Sequence, residues 1–223
     1  MRIAAVLFPR LTQLDLTGPY EVFSRVPQCE LLLVANSLAP VRSEFGLPIA
    51  PNATFDGAPQ CDVLLCPGGP GVNEAILDDG LLAFVRSQAG GARYVTSVCT
   101  GALILGAAGL LDGYRAATHW TAMEFLPLFG ATPVDERVVR DRNRITGGGV
   151  TAGIDFALSV VAEWFGAELA QHIQLIIEYE PKPPFHGHPE KAADSIVADV
   201  RAARSEFQER RREAVVKAVG KLR

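Results

Sequence analysis

The sequence predicts an α/β protein built on a largely parallel sheet, and three observations lead there. Four short apolar runs, at residues 3–8, 31–35, 63–66 and 94–98, have the length and branched or aromatic content of buried strands. The stretches between them carry helical spacing or turn chemistry, and strands that alternate with helices build parallel sheets. The 223 residues, 48% of them apolar, suit one compact domain with an appended segment.

Taken in order, the first run lies in an apolar stretch too short to span a membrane and without a signal-cleavage pattern, so it reads as a strand. A helix is expected near Pro19, which suits a first turn because its missing N–H is not needed there. Residues 41–49 hold two short extended pieces around Gly46 and predict a hairpin. The strand at 63–66 runs into Pro67-Gly68-Gly69-Pro70-Gly71, and a helix near Leu81 leads to the strand at 94–98. Further helices are expected at Thr100, near Trp120 and near Thr151, with a strand pair at 138–140 and 145–146.

Beyond Thr151, the residues Ile154, Leu158, Val161 and Phe165 recur at helical spacing, with Gly166 as the break before a second helix to about Glu178. The Pro-rich stretch at 181–189 stops helix formation and divides a domain at 1–189 from a charged helical extension at 190–223. In that extension Ile196, Val200 and Phe207 keep helical spacing, while Glu206/Arg210 and Glu213/Lys217 are supportive pairs. One long amphipathic helix is the simplest account. Its basic excess reads as a solvated face, with an acidic partner as the alternative.

A formal net charge of −4 argues against nucleic acid as a partner. With no run of membrane length, a cytoplasmic protein whose four cysteines stay thiols is expected. Cys29, Cys61, Cys66 and Cys99 show no metal-type spacing, and Cys29, Cys61 and Cys66 read as core or strand residues.

Cys99 is different. Ser97-Val98-Cys99-Thr100-Gly101 places it where a strand meets a helix, the cysteine counterpart of a Gly-x-Ser-x-Gly turn. There the side chain projects above the sheet, and the unpaired N–H groups of the helix favour a thiolate. Such a nucleophile needs donors for a developing anion and a group that moves protons. The N–H of Thr100 is one donor, and Gly68 and Gly69 are the others if parallel strand ends converge; the alternative for the Gly-rich loop is a tight turn. It matches no dinucleotide or phosphate fingerprint. The loop Thr146-Gly147-Gly148-Gly149-Val150-Thr151 reads as a pocket wall.

Asp15, flanked by Leu14 and Leu16, is either a helix N-terminal cap or a partly buried acid whose pKa rises through desolvation and a nearby thiolate. Glu21 is the reserve. Histidine commonly serves a cysteine nucleophile, yet Thr100 follows Cys99. His119 reaches the site only through the fold and is equally a structural residue, His172 lies on a helix, and His186 and His188 lack a third ligand for a metal.

The segments Leu14-Asp15-Leu16-Thr17-Gly18-Pro19-Tyr20-Glu21-Val22-Phe23, Pro67-Gly68-Gly69, Ser97-Val98-Cys99-Thr100-Gly101, Thr118-His119-Trp120 and Thr151-Ala152-Gly153-Ile154-Asp155 together resemble the DJ-1/PfpI superfamily, in its order, over residues 2–185. The resemblance is nearest to its isonitrile-hydrating branch. It implies a flavodoxin-like sandwich with helices on both faces, class I glutamine amidotransferase-like, usually homodimeric and without a cofactor. It further implies Cys99, Asp15 and Thr100 as functional residues and an isonitrile as the small-molecule substrate, hydrated to an N-substituted formamide. Two departures sharpen it. Protease-like members place His where this chain has Thr100, and DJ-1-like members place Glu where it has Asp15. AraC-like regulators carry a similar sensor domain, so a redox-sensing binding protein is the competing expectation; after the first domain only one charged segment follows, too short for two helix-turn-helix units.

Overall fold

The computed structural model describes residues 1–222. The four apolar runs become the middle of one sheet because each is long enough to be covered from both sides. The chain opens with β1 (Arg2–Val6), α1 (Gln13–Phe23) and β2 (Glu30–Ala35), followed by the short β3 (Val41–Arg42), β4 (Pro48–Ile49) and β5 (Ala53–Thr54). Next come β6 (Val63–Cys66), α2 (Val72–Ala75), α3 (Asp79–Gly91), β7 (Tyr94–Val98) and α4 (Gly101–Ala107). After them lie β8 (Arg115–Ala116), a 3-10 helix (Trp120–Phe129), β9 (Thr132–Pro133), β10 (Val138–Asp141) and β11 (Arg144–Gly147). Four helices finish the chain: α5 (Ala152–Phe165), α6 (Ala167–Ile176), α7 (Asp194–Ala203) and α8 (Ser205–Leu222).

The main sheet runs β10-β11-β7-β6-β1-β2-β5, parallel throughout except for the antiparallel edge pair β10/β11. Such a sheet needs cover on both faces. Helix α1 packs with α5 on one side, and α3 and α4 pack under β6 and β7 on the other. Ile3, Val6, Val63, Leu64, Val95 and Val98 are buried between these layers. The expected hairpin at 41–49 is the β3/β4 pair. No helix among the described residues is long and apolar enough to cross a membrane.

Several local expectations are corrected. Helix α1 starts at Gln13, six residues before Pro19, so the proline lies inside it. It is held by packing: a Cβ on Gly153 of α5 would come within 2.9 Å of the Pro19 ring, so the proline sits flush against the α5 backbone. The segment near Trp120 winds as a 3-10 helix, with His119 as its cap. Phe165 is exposed, and the buried side of α5 is instead Phe156, Ala157, Val160 and Val161. The charged tail is two helices that meet at Arg204, and α7 buries nothing. Ile196 and Val200 point outward, whereas α8 buries Arg211, Ala214, Val215 and Ala218 against α2, α4 and the 3-10 helix.

Candidate active site

Strands β1, β6 and β7 are adjacent and parallel, so the segments that follow them meet at one edge of the sheet. That places Asp15, in the first turn of α1, beside Gly68 and Gly69 after β6 and beside Cys99 and Thr100 after β7. All five sequence-predicted site residues are brought together.

Cys99 follows β7 with φ = +55°, a left-handed conformation costly for a side-chain-bearing residue. Its peptide groups are fixed on both sides. The N–H donates to the carbonyls of Gly147 and Gly148 at 3.1 and 2.8 Å, and the carbonyl accepts from Thr118 Oγ1 at 2.8 Å. Strain of about 1–3 kcal/mol is thereby held in place by three hydrogen bonds. Thr118 carries no signal of its own in the sequence, where the histidine is the chemically conspicuous residue of Thr118-His119-Trp120.

The two glycines account for the rest. The Gly68 N–H donates to Asp15 Oδ2 at 2.9 Å, and the Gly69 N–H donates to Thr100 Oγ1 at 3.0 Å. Their carbonyls accept as well: Gly68 from the Thr12 N–H at 2.9 Å, Gly69 from Thr100 Oγ1 at 3.3 Å. The N–H groups expected to face a developing anion are therefore engaged within the site, where they orient the acid and the hydroxyl. Only glycine fits at 68, since a Cβ there would lie 2.5 Å from the Thr100 nitrogen and 2.9 Å from Asp15 Oδ2.

Asp15 is wholly buried and is not the helix cap; Thr12 occupies that position. Burial pushes its carboxyl up to about 7, against the opposing pull of the Gly68 N–H and the Cys99 thiol, with Glu44 adding a smaller upward push. Its Oδ1 is buried without a partner of hydrogen-bonding geometry. The thiol of Cys99, 5% exposed, is likewise pushed up, chiefly by burial and then by the charge of Asp15; the Thr100 N–H and Arg211 pull the other way. The expectation of a resting thiolate is corrected: desolvation outweighs the helix N-terminus.

The other candidates take no part in these hydrogen bonds. Glu21 is exposed and paired with Arg25. His119 holds Thr121 through Nδ1, and burial depresses its pKa to about 4, so it is neutral. Cys29, Cys61 and Cys66 are thiols raised by burial. His188 meets Asp135 and Glu190 on the surface.

The DJ-1/PfpI family model matches residues 1–163. The chain is 49% identical over 223 residues to isonitrile hydratase from Pseudomonas putida, covering 100% of this chain and 98% of that protein. It is 35% identical over 137 residues to the HTH-type transcriptional regulator GbdR of Pseudomonas aeruginosa, which is 60% of this chain and 37% of the regulator. Among solved structures, a ThiJ/PfpI family protein from Pseudomonas syringae superposes with a TM-score of 0.94 at 45% identity, over 96% of this chain and 90% of that one. DJ-1 from Schizosaccharomyces pombe shares the fold at a TM-score of 0.70 and 17% identity, over 81% of this chain and 100% of that one.

Proposed function

The chain belongs to the DJ-1/PfpI family, and from that premise we propose that it is an isonitrile hydratase-like enzyme, a hydro-lyase that converts an isonitrile and water to an N-substituted formamide. The observation that carries this reading is likeness to the Pseudomonas putida isonitrile hydratase along the whole chain, not over one domain. The enclosed Cys99–Asp15 pair supports it chemically.

The terminal carbon of an isonitrile accepts a nucleophile and then a proton. With Asp15 near 7 and Cys99 higher, the pair holds one proton at neutral to mildly alkaline pH, and that state is the reactive one. As sulfur bonds to the terminal carbon, Asp15 receives the thiol proton and delivers it to that carbon, giving a thioimidate. Asp15, again a carboxylate, then draws a proton from water as the oxygen attacks the thioimidate carbon. The nitrogen takes up that proton, the C–S bond breaks as the new hydroxyl becomes the formamide carbonyl, and the hydroxyl proton passes through Asp15 to the sulfur, restoring Cys99 as a thiol. Atoms balance as one isonitrile plus one water. Thr100 orients substrate or water through the hydroxyl that Gly69 holds, and Gly68 holds the acid. Charge builds on carbon and nitrogen, not on a carbonyl oxygen, which suits a site whose glycine N–H groups are already engaged.

We also place the enzyme in the cytoplasm as a homodimer: four free thiols suit a reducing compartment, and the exposed Phe45 and Leu47 of the β3/β4 hairpin offer apolar area to a second copy. The test is incubation of purified protein with simple alkyl isonitriles, following formamide by mass spectrometry. Turnover lost in Cys99→Ala and Asp15→Asn is expected; no formamide across a varied series overturns the reading.

A further inference from the structure

The tail helix buries a cation against the site. Arg211 is 2% exposed and stands on the same stripe of α8 as Ala214, Val215 and Ala218, where an apolar side chain would be usual. Its Nε donates to Asn73 Oδ1 at 2.9 Å, its Nη2 donates to the Gly69 carbonyl at 3.1 Å, and its guanidinium lies 4.8 Å from the centre of the Phe207 ring. Among the described residues no carboxylate comes within ion-pair distance of it. A buried charge without a counter-ion is costly, so apolar packing alone does not explain it.

Its hydrogen bonds supply a reason. The Gly69 carbonyl that receives Arg211 also receives the Thr100 hydroxyl, and the Gly69 N–H returns to that hydroxyl. One peptide earlier, Gly68 holds Asp15. The guanidinium thus braces, from outside, the turn that orients both polar side chains around Cys99. We propose that Arg211 is a positioning residue for this site: it fixes the Gly68-Gly69 turn, and with it Thr100 and Asp15, and its charge steadies the Cys99 sulfur as negative charge develops there. Charged groups acting on the three are few. Cys99 feels Asp15 and Arg211, Asp15 also feels Glu44, and Arg211 also feels Arg204 and Glu74.

The turnover arm of the test rests on the hydration reading; the thiol arm does not. In the full chain, iodoacetamide alkylation of the Cys99 peptide is followed by mass spectrometry against pH in wild type, Arg211→Met, Arg211→Lys and the control Arg210→Met, an exposed neighbour paired with Glu206. Arg211→Met is expected to slow alkylation at neutral pH about tenfold and to lower kcat by a similar factor. Arg211→Lys restores the alkylation profile but not kcat, because an ammonium keeps the charge without the fork that bridges Asn73 and Gly69. Arg210→Met follows wild type. A folded Arg211→Met with wild-type alkylation and wild-type kcat overturns the proposal. Should Arg211→Met fail to fold, Arg211→Lys and Asn73→Ala decide: lowered kcat in both supports it, and unchanged kcat in both overturns it. If wild type itself makes no formamide, the hydration reading fails while the alkylation profile still judges Arg211.

Discussion

Cys66 and Cys99 make a natural comparison. Both are buried, and both lie where adjacent parallel strands end, Cys66 closing β6 and Cys99 one residue past β7. Burial raises both thiols. What separates them is the company each keeps. Among the described residues Cys66 has only Cys61 as an ionisable neighbour, whereas Cys99 has the carboxyl of Asp15, the N–H of Thr100 and the charge of Arg211. The backbone differs too, since Cys99 alone of the two has a positive φ. In the mechanism proposed above, the position of a thiol at a strand end does not make it reactive; a proton acceptor held within reach does.

The comparison breaks first at the sulfur itself. Cys99→Ala is expected to lower formamide production by at least about 10³-fold, while Cys66→Ala keeps kcat within about twofold and costs about 1–2 kcal/mol in a denaturant melt. Loss of activity in Cys66→Ala with Cys99 intact would reverse the assignment.

Asp15→Asn keeps the shape of the acid and removes its proton transfer, and kcat is expected to fall about 10²–10⁴-fold. The same variant has a stability signature. A carboxyl raised to about 7 from 3.8 makes its full contribution to the fold below pH 4 and loses it as pH climbs through about 7. Asp15→Asn is therefore expected to match wild type near pH 4 and to exceed it by up to roughly 4 kcal/mol at pH 8. Equal stability of the two at pH 8 would show that the carboxyl is not desolvated.

Gly68→Ala forces a methyl against the Thr100 nitrogen and Asp15, and a displacement of that order is expected to cost about 10²-fold in kcat. Thr100→Val, which removes the hydroxyl held by Gly69, is expected to cost about tenfold, with kcat affected more than the alkylation rate of Cys99.

The pH profile sharpens the pair as a unit. Because the singly protonated pair reacts, kcat/KM is expected to rise through about pH 7 and to fall again only at alkaline pH. Asp15→Asn removes the rise near 7. A profile flat from pH 5 to 8 in wild type would contradict the pairing.

How far the sequence foretells this is uneven, for physical reasons. Strands β6 and β7 are legible to the residue, since Val63-Leu64-Leu65-Cys66 and Tyr94-Val95-Thr96-Ser97-Val98 are continuous runs bounded by turn residues. The two-residue strands β5, β8 and β9 leave no period to read. Pro19 misleads, because it lies inside α1 and packs against Gly153, more than a hundred residues away, a contact no local pattern shows. The meeting of Asp15, Gly68, Gly69, Cys99 and Thr100 follows from parallel strand ends, but the direction of each hydrogen bond does not, so donors for an anion and donors for Asp15 look alike. The thiol's protonation is missed because the pull of a helix N-terminus is visible in sequence and desolvation is not. Arg211 is hidden most completely: it stands within a run of charged residues, and only the docking of α8 sends it inward while Arg210 and Arg212 stay outside.

The most direct test of the central claim is peptide mapping after rapid quench of the enzyme with a simple alkyl isonitrile. A single adduct of isonitrile mass on the Cys99 peptide, forming and decaying at the rate of turnover in wild type and forming slowly in Asp15→Asn, is the expected result. Turnover without any adduct on Cys99, or an adduct that forms equally fast without Asp15, would contradict it.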